Sequence, residues 1–358
     1  MIRNLIFRAS FVAMTALSAP AADASETVTR FGVQGSGSGD LVIASVTDLD
    51  FMRPLIFAFQ QANPGISVTY VEDTSNSLDA SVSSACTEGA FLADLVISSS
   101  IAQQVRLVNG GCAREIGSPV LSSLPDWAQW RGELIGLTYE AAVMVYNKAA
   151  FAEAGPPRSR FDLIDLMRQS GSLNGRIATY DIEDSGVGYL FAFQDSTEAS
   201  TWGRLIEGFG RNSVATFCCS SEVIDRVADG RAHIGYNVLG SYALSRAEND
   251  DRIGVILPND YTLVLARAGY IPREARNADA ARAFLEFALS PQGRAILDGE
   301  TRLLTPLSGP DALARLSGDD ETALRPIPLS PALLVSLDQA KRVRFLSQWR
   351  KSVAPPMP

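Results

Sequence analysis

The chain has 358 residues, 46% hydrophobic and 20% charged, with a formal net charge of −9 and a pI near 4.8. That balance argues against a nucleic-acid binder, which needs a basic stripe to displace counterions from phosphates. A single histidine, His233, excludes a zinc site with two histidine ligands and leaves a Ser-His-Asp hydrolase one residue to use. HExxH, the GxxxxGK[ST] phosphate loop and kinase motifs are all absent.

The N-terminus, MIRNLIFRASFVAMTALSAPAADASE, places Arg3 and Arg8 before a short apolar core at Phe11 to Leu17. Small-x-small cleavage sites follow at Ala19-Pro20-Ala21 and Ala22-Asp23-Ala24. The apolar run is far shorter than the ~20 residues of a bilayer span. Residues 1–24 therefore read as an export signal, and the mature chain is expected in the periplasm. No cysteine follows to make a lipobox. Residues 25–40 are polar and Gly/Ser-rich and read as a flexible leader; GSGSG at 35–39 precedes the first strand, where a phosphate cradle would follow one.

From residue 41 strands and helices alternate. LVIAS (41–45) is a strand, and Thr47 or Asp48 can cap a helix that carries Leu55, Ile56 and Phe59 and stops at Asn63-Pro64-Gly65. ISVTYVE (66–72) is a second strand, 77–89 a helix, ADLVISS (93–99) a third strand, and 101–109 a helix ended by Gly110-Gly111. Three such units predict a parallel sheet with helices on its faces. LIGLTYEAAVMVYNKAAF (134–151) and TLVLARAGYIP (262–272) are long β-rich stretches bracketing a middle block. Within that block, helices are expected at 159–170, after Ser185-Gly186-Val187-Gly188, at 220–229 and from Ser241, with strands at 176–181, 232–237 and 253–258. Helices at 278–289 and 291–298 meet at Ser290-Pro291, and a final amphipathic helix spans about 331–351. The expected organisation is an α/β chain of two lobes, 41–138 plus 264–352 and 139–263, joined by a two-strand hinge. Strand ends of both lobes then face one cleft, which closes on a ligand.

The four cysteines fit an oxidising compartment. Cys86 and Cys112, 26 residues apart, are a candidate disulfide. For the adjacent Cys218 and Cys219 a vicinal disulfide, a bond elsewhere and two reduced thiols all stay open.

Several stretches together resemble a known family. LDFMRPLIFAFQQANPG (49–65), ADLVISSSIAQQVRLVNGGC (93–112), VMVYNK (143–148) and EFALSPQGRAIL (286–297) follow the order and spacing of the bacterial periplasmic solute-binding proteins of ABC importers. The resemblance covers about residues 41–300 and lies with the branch of ferric-iron and phosphorylated-sugar binders. It implies the type II periplasmic binding fold and a monomer that delivers a small solute to a membrane permease, with no enzymatic activity, no cofactor and no nucleic acid. The phosphorylated-compound branch implies an alternative partner, the periplasmic domain of a sensor kinase.

Candidate ligand residues sit at strand ends. In the first lobe they are Thr47 and Asp48, then Ser75 and Asn76, then Ser98, Ser99 and Ser100; all can donate hydrogen bonds, and all are equally ordinary helix caps. Asp48 has a second reading as partner of a cationic group. Tyr139 and Glu140 lie at the crossover. In the second lobe Ser185, Gly186, Val187 and Gly188 open a helix whose N–H groups suit an anion. Asn237, Gly240 and Ser241 follow another strand, and Asp260 precedes the return crossing. The iron-binding relatives carry adjacent tyrosines where Gly240 and Ser241 stand here, and Tyr236 and Tyr242 are six residues apart. The expected ligand is thus a small anion, a phosphate ester or carboxylate, with no metal. Trp202 is a candidate stacking surface for a sugar.

Overall fold

The computed structural model describes residues 26–32, 39–169, 171–198, 200–308 and 323–353. The expected export signal at 1–24 lies outside the described residues, as do residues 33–38 of the expected leader. Part of the leader is nevertheless ordered: β1 (Thr27–Phe31) pairs antiparallel with β3 (Ile66–Glu72) and buries Phe31. Three consecutive β-branched residues, Thr27 to Thr29, followed by a buried Phe31 give an edge strand where composition alone suggested a flexible leader.

The first lobe follows its β-α pattern. Strands β2 (Gly39–Ser45), β3 and β4 (Leu95–Ser98) run parallel, with Ile43 beside both Tyr70 and Leu95. Helix α1 (Leu49–Ala62) buries Met52, Leu55, Ile56 and Phe59, the i, i+3, i+4, i+7 stripe of a surface helix. Helices α2 (Ser75–Glu88) and α3 (Ile101–Asn109) complete the units. The chain then adds β5 (Gln129–Trp130) and β6 (Leu134–Gly136), and the sheet order is β1-β3-β2-β4-β13-β6-β5. Strand β13 (Ala268–Tyr270) is the return strand, antiparallel to β4 and β6. Cys86 and Cys112 are bonded and tie α2 to the end of α3.

The second lobe is built on β7 (Glu140–Asn147), buried along most of its length. Helix α4 (Arg160–Gln169), β8 (Ile177–Tyr180), α5 (Gly186–Glu198), α6 (Trp202–Arg211), β9 (Ala215–Phe217), α7 (Ser220–Ala228), β10 (Ile234–Leu239), α8 (Gly240–Asn249), β11 (Ile253–Ile256) and β12 (Thr262–Leu265) follow. The order is β14-β12-β7-β10-β8-β9, with β11 also on β7 and β14 being Leu324–Pro326. Cys218 and Cys219 form a vicinal disulfide at the start of α7.

The lobes join at 137–139 and 266–267, where Leu137 N–H donates to the Arg267 carbonyl at 2.7 Å. The return crossing falls a few residues later than the expected boundary at 263–264, because β12 still pairs with β7. Helices α9 (Ala278–Leu289) and α10 (Pro291–Ile296) return to lobe one, and Ser290 Oγ caps α10 by accepting from Gly293 N–H at 3.1 Å. The end of the chain belongs to both lobes and not to lobe one alone. β14 extends the second sheet, Leu329 N–H donates to the Trp127 carbonyl of lobe one, and the C-terminal helix (Gln339–Val353) buries Phe345, Trp349 and Val353 beside Trp202 and Phe209 of lobe two. The expected single helix at 331–351 is broken at Asp338, with a short helix Leu334–Leu337 before it. Trp202, stacked on Phe345 and Trp349, is a core residue and offers no sugar platform.

Candidate functional site

The lobes meet along their strand ends. From lobe one, Thr74 caps α2 through its hydroxyl, which accepts from Ser77 N–H. This leaves the next residues free to reach across. Ser75 Oγ accepts from Gly186 N–H of α5 at 2.9 Å, and Asn76 Nδ2 donates to the carbonyls of Asp184 (2.8 Å) and Glu183 (3.2 Å). Gln103 of α3 orients Asn76 by donating to its Oδ1 at 3.0 Å. Ser100 precedes α3 without capping it through its side chain, and its buried Oγ, with no partner, lies against Gly186. A Cβ on Gly186 would run into Ser100 Oγ and stand 3.1 Å from Ser75 Oγ. Glycine here is a requirement of the close approach of the lobes. Ser185 Oγ caps its own helix by accepting from Gly188 N–H at 3.2 Å.

A second interlobe group lies at the crossing. Arg267 and Glu140 keep 2% and 1% of their side-chain surface and pair at 2.6 Å. Arg267 also donates to Thr47 Oγ1 at 2.6 Å, while Glu140 accepts from Thr138 Oγ1 at 2.8 Å and from Ser241 Oγ. Burial acts to lower the Arg267 pKa, but Glu140 and Tyr242 outweigh it and the net direction is upward. Thr47 is held by the Tyr70 hydroxyl, which donates to its carbonyl at 2.6 Å. Beside it, Tyr242 of α8 donates to Asp48 Oδ1 at 2.7 Å, accepts from Asp48 N–H at 3.2 Å, and stacks on Phe51 at 4.2 Å. Asp48 does not cap α1 with its side chain; Glu72 does that work by accepting from Leu49 N–H at 2.8 Å. A carboxylate at a helix N-terminus complements its partial positive charge.

The structure thus brings Thr47, Asp48, Asn76, Glu140, Gly186 and Ser241 to the seam between the lobes. Ser98 and Ser99 are buried beside it and serve the turn into α3: Ser98 Oγ accepts from Ser100 N–H, and the Ser99 carbonyl accepts from Ile101 N–H. Val187 is a core residue of α5. Gly188 is packed against the Tyr180 side chain, and Gly240 lies where a Cβ would meet the Ala141 carbonyl at 3.1 Å, so both are glycines for packing.

Asn237 and Asp260 are used elsewhere. Asn237, at φ 56°, donates to Asp195 Oδ2 at 2.7 Å. Tyr236 and Tyr261 donate to the same carboxylate, each at 2.7 Å. Arg160, fully buried in this network, lies 3.1 Å from Asp195 and 3.2 Å from Asp260. These groups stiffen lobe two from within. Tyr139 is likewise a hinge residue, its N–H donating to the Leu304 carbonyl and its ring against Trp127. Sequence reasoning left Arg267, Phe51 and Tyr242 without a role; the one usable signal was a lone arginine inside the apolar run TLVLARAGY.

Tyr236 and Tyr242 are held as phenols, each pushed well up first by burial, and their hydroxyls serve different carboxylates in different places. Among the described residues no three His, Cys, Asp or Glu side chains are grouped to hold a metal ion.

Residues 55–314 match the model of the bacterial extracellular solute-binding proteins, and the chain belongs to that family. Its fold is the type II periplasmic binding architecture. The substrate-binding protein of an ABC transporter from Agrobacterium tumefaciens is 34% identical, with a TM-score of 0.86 over 93% of this chain and 100% of that one. Two more distant structures share the fold at 17% identity. AfuA from Actinobacillus pleuropneumoniae, with fructose-6-phosphate bound, has a TM-score of 0.69 over 88% of this chain and 99% of its own. Iron-bound HitA from Pseudomonas aeruginosa has 0.66 over 87% and 99%. No curated protein sequence matches. Among the described residues no helix is long and apolar enough to cross a membrane.

Proposed function

We propose that this protein is the periplasmic component of an ABC importer and captures a small anionic solute, a carboxylate or phosphate ester, between its lobes at the N-terminus of α5. The observation that carries the reading is Ser100 Oγ, buried, unpartnered and set against Gly186, where the first N–H groups of a 13-residue helix meet the hydroxyls of lobe one. Helix N-termini hold anions through their N–H groups and about half a positive charge, and a solute would take over the Gly186 N–H that Ser75 Oγ holds while the lobes are apposed. The net charge of −9 does not oppose this, because nearby dipoles set binding in a closed cleft while global charge acts on encounter. Membership of the family and likeness to the Agrobacterium transporter component support delivery to a permease.

Titration calorimetry with carboxylates and phosphate esters tests this on wild type and Gly186→Trp. Binding to wild type that the variant loses, with its unfolding midpoint kept, is the expected result. Undiminished affinity in the variant would move the site elsewhere.

A further inference from the structure

We propose that the solute also carries a cationic group, so that the cleft takes a small zwitterion whose ammonium rests on Asp48. The proposal deepens the anion reading above and depends on the same cleft. It starts from the charges that face the seam. Arg267 and Glu140 cancel one another inside the crossing. Asp48 is left over. It is half-buried, and among the described residues no Lys, Arg or His lies within ion-pair distance of it. Its Oδ1 accepts from Tyr242, and no described donor reaches Oδ2. The capping duty that would explain an aspartate at this position is carried by Glu72. The Tyr242 ring whose hydroxyl reaches this carboxylate is stacked on Phe51, which fixes the position of that hydroxyl beside Asp48.

The span also fits. β2, which leads to Asp48, runs between β3, which leads to Ser75, and β4, which leads to Ser100. Neighbouring strands lie about 4.8 Å apart, so Asp48 and the lobe-one hydroxyls that meet α5 leave one sheet at adjacent strand ends, a spacing on the scale of a short amino acid. A solute bearing only negative charge would sit beside an unneutralised carboxylate and be repelled by it.

The test uses the full mature chain and matched probes: ω-amino acids of three to six carbons, the carboxylates and the amines of the same lengths, and a hexose phosphate, each titrated by calorimetry. We expect at least one amino acid to bind at least about tenfold more tightly than its matched carboxylate and its matched amine. In Asp48→Asn this advantage should fall to within about twofold, with the carboxylate, no longer repelled, binding at least as tightly as to wild type, and with circular dichroism showing the variant folded, since the amide oxygen can still accept from Tyr242. Carboxylates or the hexose phosphate binding as well as or better than every amino acid, with Asp48→Asn indifferent, would overturn the zwitterion and leave the anion reading standing. Amines binding as tightly as amino acids would overturn both. Failure of every amino acid to bind would overturn the proposal.

Discussion

Glu140→Gln tests how much the sealed pair at the crossing contributes. The change preserves shape but replaces one carboxylate oxygen by an amide nitrogen, which cannot accept. Glu140 accepts from Thr138 Oγ1, Ser241 Oγ, and Arg267 Nε and Nη2. Losing about two of these, at about 1.5–3 kcal/mol each for charged partners, gives roughly 3–6 kcal/mol. Leaving the Arg267 charge buried without its counter-ion gives a similar figure, about 3–5 kcal/mol. Either is a large share of a total stability of about 5–15 kcal/mol. Urea unfolding followed by tryptophan fluorescence and far-UV circular dichroism measures it. Arg267→Met should lose a comparable amount, and the double variant should show a coupling of about 2 kcal/mol. The Arg267 pKa is raised, so the stability it contributes is complete below the ordinary arginine value and is lost only in strong alkali. The coupling should therefore stay flat between about pH 5 and 9. Single losses below about 1 kcal/mol, or strict additivity, would refute the reasoning.

His233 is the one histidine, and burial, with Arg176 behind it, lowers its pKa. The folded value then lies below the unfolded one of about 6.5, so stability is complete above that pH, declines as pH falls through it, and levels off below the folded value. The imidazole proton resonance should titrate with a midpoint below 6.5, and His233→Asn should lack this part of the acid-side decline; a midpoint at or above 6.5 contradicts the placement. Replacing both Cys86 and Cys112 by Ser should cost about 3.5 kcal/mol by the loop-entropy estimate for a 26-residue separation, read from chemical unfolding. A loss below about 1 kcal/mol would show that the loop is already constrained without the bond.

What the sequence disclosed was local. Helix α3 falls at 101–109 as its pattern and the Gly110-Gly111 stop imply, and the strand-helix units of lobe one stand where hydrophobic runs and breakers place them. Helix α6 was passed over although Trp202, Leu205, Ile206 and Phe209 form a clear helical stripe, whereas the three residues of β9 are too few to show alternation. The hydroxyls at strand ends were legible as a recurring pattern, and so was the Gly186 turn. Their division of labour was not. Whether a serine caps its own helix, as Ser185 does, or reaches the other lobe, as Ser75 does, depends on an approach between segments 111 residues apart. Arg267 and Glu140 lie 127 residues apart, and Asn237 and Asp260 were drawn into the Arg160–Asp195 network by a fold no local pattern encodes.

The claim on which the account turns is that two lobes shut on a solute at Gly186. Small-angle X-ray scattering of the wild-type chain, with and without the probe that binds it most tightly, measures this directly. A smaller radius of gyration is expected when the probe is bound, and no contraction in Gly186→Trp. An unchanged radius with the probe bound, or equal contraction in the variant, would contradict it.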